Sequence, residues 1–165
     1  MKKKATAKEQ LTTAINLDEK DFAILKLLQH NAKATVKEIA QQVHLSTTPV
    51  YERIKQMEDA GIIKQYAALV DNKKINKGLM VICYVSLKQH NKIAGAKFIK
   101  HINGLDEVVE CYNISGEFDF LLKVLVENMD AYYNFHVNKL SKDENIAHVQ
   151  SVFVMGVVKQ THAVV

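Results

Sequence analysis

The apolar positions change period once along the chain. From Leu17 to Ile62 they recur three and four residues apart, and from Leu79 onward they alternate. The first stretch divides into three short helices. In LDEKDFAILKLLQHN, Ile24, Leu25, Leu27 and Leu28 make one stripe. Asp18 takes the N-cap position, and Glu19 and Asp21 place negative charge at the positive end of the helix dipole. TVKE is a capping box, Thr35 with Glu38 three residues on, and it opens a second helix with Val36, Ile39, Ala40 and Val43 inward. After a turn of about three residues, Ser46 is placed to cap a third helix. Pro49 falls in its first turn, Val50, Ile54 and Met57 face the core, and Gly61 supplies the left-handed closing residue.

The second stretch has four strands, in LMVICYVSLK, DEVVECYNIS, FDFLLKVLVEN and AHVQSVFVMGVV. Its two helices are KIAGAKFIKHI and MDAYYNFHVNKL. The order βαββαβ predicts a ferredoxin-like sandwich with both helices on one sheet face. The first strand is apolar on both sides, Met80, Ile82 and Tyr84 against Val81, Cys83 and Val85. The last strand sets Phe153 and Met155 against Val152 and Val154. Helices cover one face only, so a second copy of the chain is expected on the other, with the connector as the alternative cover.

The predicted fold is therefore α+β, an N-terminal helix-turn-helix, winged-helix-like domain followed by a ferredoxin-like βαββαβ sandwich. Residues 1–16 are expected to be a basic flexible tail and 17–62 the helix-turn-helix. Residues 63–78 form a connector strand and hinge, 79–159 the sandwich, and 160–165 a C-terminal tail.

Charge separates the two parts. Residues 1–78 hold 14 Lys and Arg against 9 Asp and Glu, net +5, and residues 79–165 hold 8 against 9, net −1. A basic helical half suits a polyanion such as double-stranded DNA; a solubility surface would give the same count. No apolar run reaches the roughly 18 residues of a membrane span, and no apolar signal core follows the N-terminal lysines. Cys83 and Cys111 sit in apolar strands without metal-ligand spacing, and are expected to be reduced packing residues of a cytoplasmic protein.

The third helix gives the charge a destination. At about 100° per residue, Thr48, Glu52 and Lys55 point away from the Val50–Ile54–Met57 axis, and Tyr51 lies to one side. Ser46, Thr47 and Thr48 place hydroxyls at the N-terminal end, suited to phosphates or base edges. The chain's single arginine, Arg53, lies on the shoulder of this helix. Two uses are open to it: a phosphate at the groove edge, or Asp18 or Asp21 of the first helix. The candidate DNA contacts are Ser46, Thr47, Thr48, Tyr51, Glu52, Arg53 and Lys55.

The residues from Leu17-Asp18 through Leu45-Ser46 and Arg53-Ile54 to Gly61-Ile62-Ile63 resemble the N-terminal half of the Lrp/AsnC (leucine-responsive, feast/famine) transcription regulators. The similarity continues to about residue 159. The resemblance implies a sequence-specific DNA-binding regulator that responds to a small effector, with an amino acid expected and no cofactor. It further implies a homodimer on a pseudo-palindromic site, stacking in some relatives to octamers. Glu52 departs from the basic residue common at that position, so base preference does not transfer from relatives.

YNISGEFDFLLKV resembles the family's Gly-x-x-Asp effector signature. On residue chemistry alone Gly116 is a hairpin turn. The resemblance makes Ser115, Gly116 and Glu117 a backbone cradle for a carboxylate, with Asp119 for an α-ammonium and Ser151 as a nearby hydroxyl. Phe120 stands where relatives have Tyr.

Two other readings have less behind them. A ligand-independent DNA-organising protein would keep the same recognition helix. A siroheme-decarboxylase-like enzyme would need an arginine clamp that the sandwich lacks, and the seven histidines show no paired spacing.

Overall fold

The computed structural model describes residues 16–165, so residues 1–15 of the basic tail lie outside the described residues. The chain divides into two compact units. One comprises the residues up to Leu69 together with Lys159–Val165, and the other is Val70–Val158.

The first unit contains α1 (Glu19–His30), α2 (Val36–Val43) and α3 (Thr47–Asp59). Ile24, Leu25, Leu28, Ile39, Ala40, Val43, Val50 and Met57 form its core, with Ile54 and Leu27 partly buried against it. Asp18 and Asp21 cap α1 reciprocally, each carboxylate accepting the other's backbone N–H at 2.9 Å. Thr35 and Glu38 do the same for α2. The turn between α2 and α3 passes through His44 at φ 55, a left-handed conformation usually left to glycine. Lys20 Nζ donates to the Val43 carbonyl at 2.7 Å and so satisfies the end of α2. Ser46 stands at the N-cap of α3, but its hydroxyl makes no capping bond, a correction to the expected cap. Gly61 at φ 70 ends α3 as predicted, with the N–H groups of Ile62 and Ile63 turned back onto the Met57 carbonyl.

The connector differs from expectation. Residues 64–70 form no strand, because no other described segment pairs with their backbone. Tyr66 is tied to Glu58 by a 2.8 Å hydroxyl–carboxylate bond. A single 3-10 turn at Asn72–Ile75 follows, capped by Asp71.

The second unit is built from β1 (Leu79–Leu87), α4 (Lys92–Ile102), β2 (Val108–Asn113), β3 (Phe120–Val126), α5 (Met129–Asn138) and β4 (Ile146–Phe153). The strands form one antiparallel sheet in the order β2-β3-β1-β4, the expected sandwich. β4 stops at Phe153 rather than running to Val158, since its partner β1 begins at Leu79 and Val154 N–H makes the last bond, to Met80. Val81, Cys83, Val85, Phe120, Leu122 and Val124 are buried beneath the helices with Phe98, Tyr132 and Phe135. Phe120 packs against Phe98 with the rings tilted and centroids 4.6 Å apart. It is therefore a core residue, and its lack of a hydroxyl has no direct bearing on a ligand.

On the opposite sheet face Met80, Ile82, Tyr84 and Leu121 remain half-buried, and Val152 is 43% exposed. No described element of this unit packs helices there. Among the described residues no helix is long and apolar enough to cross a membrane.

Candidate DNA interface and effector loop

The outward side of α3 matches the wheel. Ser46, Thr47, Thr48, Tyr51, Glu52 and Lys55 are all exposed. Their hydroxyl, carboxylate and ammonium groups make no hydrogen bond or ion pair to another described residue, so the surface is open to an incoming partner. Free backbone N–H groups in the first turn add donors at the same end.

Arg53 is used differently. Its Nη1 lies 2.7 Å from Asp21 Oδ1 and 2.8 Å from Asp18 Oδ2. The other oxygen of each carboxylate serves the reciprocal cap of α1. All four oxygens are thus engaged, and one guanidinium from α3 bridges the two like charges at the start of α1 and offsets one of them. The N–H of Asp21, followed by Arg53, holds the Asp18 carboxyl below its ordinary range, and the paired carboxylates hold the Arg53 guanidinium above its own. Of the two uses left open by the sequence, the structure shows the intradomain one. Arg53 fixes the angle between the recognition helix and α1.

In the sandwich, Ser115, Gly116 and Glu117 are exposed on the loop between β2 and β3, and Gly116 adopts φ 121, a conformation that needs glycine. Among the described residues no acceptor takes their backbone N–H groups. Phe118 folds over the sheet face that has no helices, tilted against Tyr84 at 5.3 Å and stacked on His148 at 6.1 Å. Ser86 Oγ donates to the Glu117 carbonyl at 3.2 Å.

Asp119 is not an idle carboxylate. Its Oδ2 accepts from Leu87 N–H at 2.7 Å, its Oδ1 lies 2.9 Å from His90 Nδ1, and its own N–H donates to the Val85 carbonyl. Burial alone would push this carboxyl up, but the Leu87 N–H and His90 outweigh it and hold it below the ordinary range. Asp119 therefore joins the loop to the end of β1, a role that spacing alone did not reveal.

Ser151 is not brought to the loop surface. It pairs with Cys83 across β1 and β4, on the helix-covered side, and its Oγ lies 2.5 Å from the Tyr132 hydroxyl. Tyr132 in turn lies 3.3 Å from Cys83 Sγ. Burial raises the pKa of both the Tyr132 phenol and the Cys83 thiol, so this chain of three polar groups is neutral. Sequence reasoning missed it because a Cys and a Tyr 49 positions apart share no local pattern.

Comparison with known proteins agrees with both halves. Residues 17–64 match the family described as winged helix-turn-helix DNA-binding, and residues 80–164 match the Lrp/AsnC ligand binding domain. The transcriptional regulator AzlB of Bacillus subtilis is 33% identical over 150 residues, covering 91% of this chain and 96% of that protein. The leucine-responsive regulatory protein of Haemophilus influenzae is 34% identical over 149 residues, 90% of each chain. A transcriptional regulator of Neisseria meningitidis, solved as its L-Met complex, superposes with a TM-score of 0.85 at 36% identity, over 89% of this chain and 95% of that one. With an exposed outward surface on α3 and a sandwich that matches the family's ligand binding domain, the chain belongs to the Lrp/AsnC family of DNA-binding transcriptional regulators.

Proposed function

We propose that the chain binds DNA as a homodimer, with α3 of each copy in the major groove of a pseudo-palindromic site, and that a free amino acid at the β2–β3 loop alters that binding. The observation that carries the first part is the exposed, unpartnered set Ser46, Thr47, Thr48, Tyr51, Glu52 and Lys55 on a helix whose orientation Arg53 fixes. Two recognition helices related by a dyad meet half-sites about one helical turn apart. Dimer formation is supported by the half-buried apolar face of Met80, Ile82, Tyr84 and Leu121. The unpaired connector, with Tyr66, Leu69 and Val70 exposed, offers a second contact between copies. Stacking of dimers to an octamer follows the family resemblance alone. The relatives are regulators, and this chain is read as one, with no catalytic residue assigned.

Selection of bound duplexes from a random pool should return a two-fold symmetric sequence. Replacing Lys55 with Ala then weakens binding to all sequences and reduces the slope of log affinity against log salt by about 0.9, one phosphate contact. An unchanged slope removes Lys55 from the interface.

For the effector, the unused N–H groups of Ser115, Gly116 and Glu117 donate to a carboxylate, while Asp119 meets the ammonium by exchanging the exposed His90 for the ligand. Ser151 makes no direct contact in this reading, because Tyr132 holds its hydroxyl. Relatives support an amino acid: one was solved with L-Met, and another is named a glutamate uptake regulatory protein. The prior engagement of Asp119 favours a second reading, a DNA-organising protein without ligand control. Thermal unfolding against each of the twenty amino acids decides between them. The expected result is a selective rise, about 2.7 kcal/mol at about 100 times the Kd; a flat panel supports the second reading.

A further inference from the structure

Residues 159–165 follow the last strand of the sandwich in sequence, yet they belong to the compact unit built on α1, α2 and α3. One side chain holds them there. Gln29 Oε1, near the end of α1, accepts from Val164 N–H at 2.9 Å and from Val165 N–H at 3.2 Å. Just upstream, Thr161 Oγ1 accepts from Ala163 N–H at 3.2 Å and bends the segment. Lys26, Leu27, His30 and Leu69 complete the seat, around a cleft of about 520 Å³.

A carboxamide oxygen has two lone pairs, and here both meet consecutive main-chain donors. The seat therefore recognises extended backbone rather than particular side chains. Both partners are exposed, so each bond is worth no more than about 0.5–1.5 kcal/mol. Such a contact is populated but readily released. It also leaves the recognition surface clear, since none of Ser46, Thr47, Thr48, Tyr51, Glu52 or Lys55 lines the cleft.

We propose that residues 160–165 and the Gln29 seat form a second tether on the DNA-binding unit. The chain leaves that unit once, between Leu69 and Val70, and returns to it after β4, between Val158 and Lys159. A unit attached at two places samples fewer orientations than one on a single linker. In a dimer the second recognition helix then meets its half-site at a higher effective concentration. This inference rests on the two-half-site reading given above.

Four variants of the full chain test it. Gln29→Leu removes the acceptor and Gln29→Glu keeps one. Val164→Pro and Val165→Pro each delete a donor without touching α1. Gln29 is exposed, so the core is undisturbed. In 15N-labelled protein, backbone amides of residues 161–163 should show the heteronuclear NOE of ordered backbone in the wild type and Gln29→Glu, and lose it in the other three. Flexible amides in the wild type overturn the proposal. On the selected duplex with two half-sites, Gln29→Leu and Val164→Pro should bind about 3–10-fold more weakly, with no change on a duplex with one half-site. Wild-type affinity of Gln29→Leu on both duplexes overturns the tether. A wild type that gains nothing from the second half-site overturns the two-half-site reading and the tether's role with it. The NOE data then report on the contact alone.

Discussion

Arg53→Ala should lower the stability of the helix-turn-helix unit by about 2–4 kcal/mol, because it strands the buried Asp21 carboxylate beside a second negative charge. Asp21 is 7% exposed with Arg53 in place, and water entering the vacated space offsets only part of the lost guanidinium. Arg53→Lys should cost less, since a single nitrogen, Nη1, already meets both carboxylates at 2.7 and 2.8 Å and an ammonium has the same charge; the shorter lysine stem accounts for the remaining loss. The pH dependence separates this from a loss of packing. The Asp18 carboxyl is lowered in the folded state, so its contribution is complete above the ordinary value of 3.8 and is lost as pH falls below it. Acid unfolding followed by circular dichroism should show that loss in the wild type and a shallower one in Arg53→Ala. Equal stability of the two proteins would mean that Arg53 faces solvent or DNA instead. The neighbouring substitution Glu52→Ala, on the open surface, should leave stability unchanged and alter only base preference.

Asp119→Ala should have the second largest effect, about 1–3 kcal/mol, for it leaves the Leu87 N–H without its partner. The Leu87 backbone is buried at the end of β1, and the bond it loses is 2.7 Å long. The same variant should abolish any amino-acid response, because the loop that presents the Ser115–Glu117 donors is no longer fixed. His90→Ala distinguishes the two consequences. His90 is 67% exposed at its side chain and its removal frees one Asp119 oxygen, so stability should hold while ligand affinity rises. Thermal unfolding of both variants, with and without the amino acid that shifts the wild type, measures each effect. A normal response in Asp119→Ala would place the effector elsewhere.

Most of the fold was legible in the sequence because it depends on local patterns. The caps at Asp18 and Thr35, the stripes of α1, α2 and α3, and the alternation through β1 each need only neighbouring residues to be read. Arg53 was legible to the level of a pair of uses, since a helical wheel gives direction but not the distance to another helix. Asp119 and Ser151 were read for chemistry and not for occupancy. Their partners, Leu87 and His90 for one and Tyr132 for the other, come from elements 19 to 32 positions away, and only the folded chain brings them together. The connector at residues 64–70 shows the opposite failure. Its composition suits a strand, but a strand is a property of two segments, and no described segment pairs with this one.

The exposed sheet face has a consequence for how the protein is made. A newly folded single chain presents Met80, Ile82, Tyr84, Leu121 and Val152 on a sheet face that no helix covers. In the same face sits the ion pair of Lys123 and Glu110, at 2.7 Å, on adjacent strands. Charge embedded in an apolar sheet acts as a gatekeeper against indiscriminate stacking. It allows a partner that can accommodate the pair and penalises one that cannot. The solubility of the solitary chain thus depends on two residues outside both candidate sites, and their loss should appear first as insoluble protein during synthesis.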